Sequence, residues 1–476
     1  MFETGIRQFR MAMGMVWGRR LDAPNIGRLV DDVLATLAEF GEPGADAQQL
    51  LGGPLATPEA RSEFATRSLR RTASRLAVQS PFYARRFASA DLRAAETDLT
   101  ALRHIPVTTK RDLIERPGDF LCPDSVAHLA TRTTGTTGRP AEIWLSRYEM
   151  ELWPALGALS SVLRDELRPG DVMQLNISSR ATAGMHLSAA TCRLAGVGCR
   201  LLGIVPPDQA LDSLGEDGTT LLSTCPSYLG ELVTAARRRG MGPDDFHLRR
   251  ITVGGEVLSP SLARAARETF GVALVDDSFS MTEVIPVTGR TCSHGHLHHD
   301  LNTGLIEVLD LETGEPAAPG ALGTVVITPY FPYRDCMPVF RYDTRDVVRR
   351  LADEALTCET AGIPATSPVL GKADHLLRLG RAGVVTPRDL IAAIEALPSA
   401  PWPARYRATA HGGRIQLALP AAAVAGYGEA AARHHFAAAG LDVDLSITHD
   451  PPTSLRRTRS DLHETTFAGR PAMTGA

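Results

Sequence analysis

Lysine is nearly absent from this chain. Among 476 residues only Lys110 and Lys372 are lysines, so any catalytic ammonium must come from one of those two positions. Arginine is no simple substitute, because its charge is spread over a planar fork with different reach and hydration. Excess charge of either sign is also missing: 50 basic against 54 acidic residues leave a net −4, with no long basic run. That balance offers no bulk attraction to nucleic acid or to an anionic membrane. No apolar stretch approaches the roughly 20 residues of a membrane span. The opening MFETGIRQFRMAMGMVWGRR has arginines on both sides of a short Met-rich segment, which is not the order of a signal peptide. These absences predict a cytoplasmic protein with no nucleic-acid and no membrane partner. Seven cysteines, an odd number at irregular spacing, do not make a disulfide framework and read as reduced thiols.

What is present is ordinary globular material, long enough for about three units of roughly 150 residues or one large unit with an appendage. Up to about Gly118 the chain is rich in Arg, Ala and Leu at helical spacing, as in RLVDDVLATLAEF, and predicts a helical lead-in over about 1–118. From about Val126 to Arg350, β-branched and apolar runs such as VMQLNIS, TTLLST, RRITVGG, GVALVDD and GTVVITP alternate with helical stretches and Gly/Pro turns. That alternation predicts an α/β body with a substantial parallel or mixed sheet. The loop-like CETAGIPATSPVLGKADH then leads to a segment with helix signals in RDLIAAIEAL and strand signals in RIQLALP and DVDLSIT. A small α+β domain is expected there, with a boundary near Gly371 that divides the chain into 1–370 and 371–476.

The sharpest local signal is TRTTGTTGRP, Thr131 to Pro140. Glycines let the backbone approach an anion closely and threonines add donors, so the segment suits phosphate oxygens. It is not a Walker loop, since Arg139 and Pro140 stand where that motif needs lysine and a hydroxyl residue. Taken alone, a polar surface turn is the lesser reading of the segment.

Two further segments alter that balance: ITVGGEVLSPSLARAARETFGVALVDDSFSMTEV and GTVVITPYFPYRDCMPVFRYDTRDVVRRL. The order TTGTTGRP, GGE, DSFSMTE, MPVFRYDTRD resembles the adenylate-forming superfamily of acyl-CoA synthetases, specifically its phenylacetate–CoA ligase branch. There the runs read close to SSGTTGxP, GxE, DxYGxTE and MPxxRYRTxD. The upstream LRHIPVTTKRDLIERPGDF and the intervening TCPSYLGEL fit the same branch, and the resemblance extends roughly from Ser68 to Phe467. It implies a large multi-subdomain N-terminal adenylation domain and a small mobile C-terminal one. The implied reaction uses ATP and Mg²⁺ to activate a carboxylic acid, of aromatic type in this branch, as an acyl-adenylate, and then passes the acyl group to the CoA thiol.

Carried over position by position, the resemblance puts Thr133, Thr134, Gly135, Thr136, Thr137 and Gly138 around the β- and γ-phosphates. Gly255, Glu256, Asp277, Ser278 and Phe279 would border adenine, and Thr282 would touch the α-phosphate. Glu283 would help hold Mg²⁺, an ion that prefers oxygen ligands shared with phosphates. Asp346 would accept from the ribose hydroxyls. Met185, His186, Tyr228 and Met281, with Phe279, are the expected acid-pocket lining. Asp374 in GKADHLL is the expected hinge, and Lys372 takes the place of the family's arginine.

The departures matter as much. The family's C-terminal stretch resembles SIPRSEGKAKR and carries a catalytic lysine, whereas SLRRTRSDLHE here has none. Either Arg456, Arg457 or Arg459 replaces it, with Arg459 the first candidate, or the substrate needs less help, or adenylation is impaired. The run RLGRAGVVTP replaces the family's RGVNVFP near the thiol-bearing arm, and Ser280 replaces a glycine. The branch often has a Cys/His cluster, matched here by Cys292, His298 and Cys358 as candidate Zn²⁺ ligands. Thr360 stands where a further cysteine belongs, so the set needs Cys336 or His294 to close. An amine or a carrier-protein thiol as acceptor remains open, as does a non-catalytic nucleotide-binding role; the branch often forms homodimers.

Overall fold

The computed structural model describes residues 2–40, 57–88, 99–133, 140–178, 181–216, 218–352, 356, 358, 363–380, 383–399 and 402–448. The lead-in is helical, with α1 (Phe2–Trp17), α2 (Ala23–Phe40), α3 (Pro58–Gln79), α4 (Pro81–Ala88) and α5 (Lys110–Glu115). Prolines at the first turns of α3 and α4 cost no hydrogen bond, since the N–H lost there has no intrahelical partner. Next comes the antiparallel hairpin β1 (Ala127–Arg132) and β2 (Glu142–Ser146), and then α6 (Arg147–Leu163). Ser146 and Glu149 form a capping box at the start of α6.

The α/β pattern expected from the sequence is present. Strands β3 (Val172–Asn176), β4 (Gly198–Leu201), β5 (Leu221–Thr224), β6 (Arg250–Gly254) and β7 (Val275–Ser280) are parallel neighbours in the order 4-3-5-6-7. The crossovers are α7 (Thr182–Leu194), α8 (Pro207–Gly215), α9 (Pro226–Arg238) and α10 (Pro260–Phe270). Beyond β7 the sheet turns antiparallel through β8 (Thr288–Thr291) and β9 (Leu297–His299). A second, four-stranded sheet holds β10 (Gly304–Asp310), β11 (Leu322–Pro329) and β12 (Tyr342–Arg349). Its fourth strand comes from the stretch expected to be a loop. There β13 (Ala365–Thr366) pairs with β9, and β14 (Gly371–Lys372) with β12.

The last part contains the short pair β15 (Leu377–Arg378) and β16 (Val384–Val385), then α11 (Pro387–Glu395), β17 (Arg407–His411), β18 (Arg414–Pro420), α12 (Glu429–Ala438) and β19 (Val443–Thr448). Its apolar side chains, including Leu390, Ile394, Leu417 and Phe436, gather into a core of their own. That core is separate from the large one, where Tyr83, Phe120 and Phe340 pack among the lead-in, the hairpin and the second sheet. Gly371 sits at the joint between the two with φ +135°, and a Cβ there would fall 2.4 Å from the Pro387 ring. None of the seven cysteines forms a disulfide, and among the described residues no helix is long and apolar enough to cross a membrane.

Candidate active site

In a sheet fed by right-handed crossovers, ligands meet the carboxyl ends of the strands, where loops leave backbone groups and side chains free to converge. Here Gly255 and Glu256 follow β6 directly, and Asp277, Ser278 and Phe279 form the end of β7. With Met281, Asp346 and Arg388 they line one cleft. Gly255 has φ +82°, a turn that a side chain would strain. Glu256 accepts the Ser227 N–H at 2.8 Å, and Ser278 Oγ donates to the Val253 carbonyl at 2.9 Å, so both β-strand ends are fixed from below. Phe279 is buried and meets the edge of His299, with ring centroids 5.3 Å apart. Burial lowers the pKa of His299 to about 4, so the imidazole backing Phe279 is neutral.

The second sheet contributes the carboxylate of Asp346, and the turn after β7 contributes that of Glu283. Asp346 is almost fully buried. Its Oδ2 accepts from Lys372 Nζ at 2.9 Å, and the same ammonium donates to the Thr344 carbonyl at 2.8 Å. Pairing of β12 with β14 sets Asp346 opposite Lys372 and so dictates this contact. Asp346 Oδ1 is buried with no hydrogen-bond partner among the described residues. A lone acceptor of that kind costs on the order of 1–3 kcal/mol unless a ligand satisfies it. Glu283 is also buried, and among the described residues its one hydrogen bond is a long 3.4 Å contact from Tyr342 Oη. Burial first, and the Glu283 charge second, push the Tyr342 phenol well above its ordinary pKa.

The other expected positions are distributed unevenly. Thr133 closes the hairpin, with its N–H on the Ala141 carbonyl and its Oγ1 accepting the Ala141 N–H, both at 3.0 Å. Thr134, Gly135, Thr136, Thr137 and Gly138 lie outside the described residues, as do Arg456, Arg457 and Arg459. Thr282 is half-buried beside Glu283. Tyr228 does not line the cleft: it packs in the core under α8 to α10 and its hydroxyl donates to the Val205 carbonyl at 2.6 Å. Met185 is half-buried and His186 exposed on α7, and neither lines the cleft. Asp374 accepts from Arg345 in the short turn after β14.

Arg388, on α11, was not singled out from the sequence. Its guanidinium reaches back to the Leu258 carbonyl at 2.8 Å and the Val369 carbonyl at 2.9 Å, and lies 3.5 Å from Asp277. Around the turn between β8 and β9, Cys292, His296 and His298, together with Cys358, bring four ligand atoms within 4.8 Å of one another. The fourth member is therefore His296. Cys336 is buried far off against Glu149, while His294 is exposed.

A family model describing AMP-binding enzymes matches residues 84–330, just over half of the chain. This chain belongs to that family. The curated relatives it is similar to carry the name phenylacetate-coenzyme A ligase, the branch that its motifs resemble. It is 27% identical over 308 residues to the phenylacetate-coenzyme A ligase of Thermus thermophilus, covering 63% of this chain and 67% of that protein. It is 23% identical over 294 residues to the enzyme of that name from Aromatoleum evansii, covering 59% and 62%. The chain thus spans about two thirds of the length of these relatives. Among solved structures, 2-hydroxyisobutyryl-CoA ligase in its postadenylation state superimposes with a TM-score of 0.71 at 21% identity, over 85% of this chain and 88% of that one. The fold of this AMP-binding enzyme is therefore that of an adenylate-forming ligase.

Proposed function

We propose that this AMP-binding enzyme activates a carboxylic acid with ATP as an acyl-adenylate and transfers the acyl group to the CoA thiol. The observation that carries this reading is Asp346: one oxygen fixed by Lys372, the other buried and unpartnered at a cleft bordered by the β6 and β7 ends. A carboxylate oxygen held ready at such a place suits a ribose hydroxyl, which would donate to it. Gly255, Glu256, Asp277, Ser278 and Phe279 then border the base. Glu283, buried and weakly bonded, has a carboxylate oxygen to give a Mg²⁺ that shields phosphate charge. The residues from 371 onward form a small domain that moves about Asp374 between the two half-reactions. The acid is of aromatic or short type, and the named relatives, which are CoA ligases, support CoA as acceptor.

The Cys292, His296, His298, Cys358 set fits one structural Zn²⁺. Two thiols and two imidazoles are the usual tetrahedral donors, and His298 Nδ1 engages the Ile363 carbonyl at 3.2 Å, which leaves Nε2 to face Cys358 at 3.4 Å. Metal analysis of the purified protein should give one zinc per chain, lost in Cys358→Ser.

The functional test is pyrophosphate release from Mg-ATP across a panel of aryl and short aliphatic acids, with CoA, an amine or no acceptor. Acid-dependent release with CoA-dependent AMP formation is the expected result. Amine-dependent AMP formation would move the enzyme to amide synthesis, and no release despite ATP binding would leave a nucleotide-binding homologue.

A further inference from the structure

Two of the seven thiols, Cys192 and Cys199, take no part in the cleft or in the zinc set. Cys192 is buried in the last turn of α7, and Cys199 is half-buried in β4, the edge strand of the large sheet. In the parallel pairing of β3 with β4, Cys199 stands opposite Met173, and partners in register project from the same face of a sheet. α7 lies over that face. Cys192 Sγ is 3.8 Å from Met173 Sδ, and the Cys192 and Cys199 thiols share a hydrogen bond. Three sulfurs, two from thiols and one from a thioether, therefore converge between one helix and two strands. Sulfurs about 2.3 Å from a metal ion in a trigonal plane stand about 4 Å from each other, and the 3.8 Å separation is close to that edge.

The surroundings select the ion. Val30, Val162, Leu167, Ala195 and Leu221 pack around the sulfurs, and among the described residues no imidazole or carboxylate forms a set with the two thiols. A hard cation such as Mg²⁺ finds no oxygen there, and tetrahedral zinc finds no fourth donor. Thiolate and thioether together suit a soft ion, and Cu(I) is the soft ion of the first transition row. We propose that Cys192, Cys199 and Met173 form a binding site for one Cu(I) ion, separate from the Cys292, His296, His298, Cys358 set. Each thiol that ligates releases its proton to solvent, and the thioether has none to lose. The copper keeps its oxidation state, so neither oxidant nor reductant is consumed. Met173 and Cys199 are only half-buried, which gives the ion a way in, and once bound it ties the end of α7 to the edge strand.

The test is an anaerobic titration of the full chain with Cu(I) in competition with a chromophoric Cu(I) chelator. In the double variant Cys292→Ser, Cys358→Ser, where the other thiol pair cannot take the ion, one Cu(I) per chain should stay bound. Adding Cys199→Ser should abolish that binding, and adding Met173→Leu, which nearly keeps the side-chain volume, should weaken it at least about ten-fold. A second measurement needs no cysteine substitution. Ag(I), a diamagnetic ion of similar softness, should shift the methyl NMR signal of one of the 11 methionines in the unsubstituted chain, and that signal should be missing from Met173→Leu. Failure of the double variant to hold Cu(I), or an affinity indifferent to Cys199→Ser and Met173→Leu, overturns the proposal. If the double variant does not fold, the methyl spectrum decides: an unmoved Met173 signal overturns the proposal as well.

Discussion

Two buried carboxylate clusters in this molecule look alike in composition and differ in completeness. In the first, at the foot of α6, Glu149 accepts the N–H groups of Asp335 at 2.8 Å, Cys336 at 3.2 Å and Ser146 at 2.7 Å. Beside it Asp335 accepts from Ser146 Oγ at 2.7 Å and from Arg20 at 2.5 Å. Every oxygen of both acids is used, and Arg334 lies 3.7 Å from Glu149 with its guanidinium over Trp153. In the second cluster Asp346 has one oxygen unused and Glu283 has one weak bond. Beside the first pair the Arg334 Nη1 and Nη2 groups are themselves buried without hydrogen-bond partners among the described residues, so the contrast lies in the carboxylates: one pair has every oxygen engaged, and the other keeps an acceptor open for something it binds.

Breaking the closed cluster should have the largest effect. Glu149→Ala strands three backbone N–H groups and the Arg334 charge, and denaturant unfolding should show a loss of about 3–5 kcal/mol. Breaking the open cluster should separate stability from activity. Glu283→Gln should cut turnover by about 100- to 1000-fold, measured as acid-dependent pyrophosphate release, while stability changes by less than about 1 kcal/mol.

A third carboxyl sharpens the contrast. Glu395, on α11, bonds Ser259 and accepts the Ala404 N–H at 2.8 Å, and burial raises its pKa to about 7. Raised above its unfolded value, it contributes stability that is full below about pH 4.5 and is lost as pH rises through about 7, by up to about 3 kcal/mol. Melting curves of the parent and Glu395→Gln between pH 5 and 8 should differ in slope over that window. The smallest effect belongs to Tyr342→Phe, which removes the 3.4 Å contact and should cost under about 1 kcal/mol and only a few-fold in turnover.

The α/β body was legible in the sequence because parallel strands buried on both faces leave unbroken apolar runs such as TTLLST and RRITVGG. The cleft residues after β6 and β7 were legible too, since their motifs lie within single strand-to-loop turns. Contacts between distant segments were not. Lys372 and Asp346 were both singled out, but their pairing follows from the β12–β14 register, which no local pattern encodes. His296 was passed over in favour of His294 and Cys336 because spacing along the chain does not show which imidazoles the turn between β8 and β9 brings round to Cys358. Tyr228 looked like pocket lining because it sits in a motif, whereas the helices over β5 to β7 claim its ring for their core. Arg388 belongs to no motif and enters the cleft only through the packing of α11 against the body.

Arg388 also sets a condition on nucleotide affinity. With α11 docked, its Arg388 lies across the cleft 3.5 Å from Asp277. A base seated against Asp277 would have to displace Arg388, so a nucleotide would bind the fraction of molecules in which that helix has withdrawn, at an apparent dissociation constant equal to the intrinsic one divided by that fraction. Nucleotide affinity would then be a joint property of the cleft and of the seam formed by Arg388, Glu395 and Ser259, and substitutions at Glu395 or Ser259 would tune occupancy from outside the cleft.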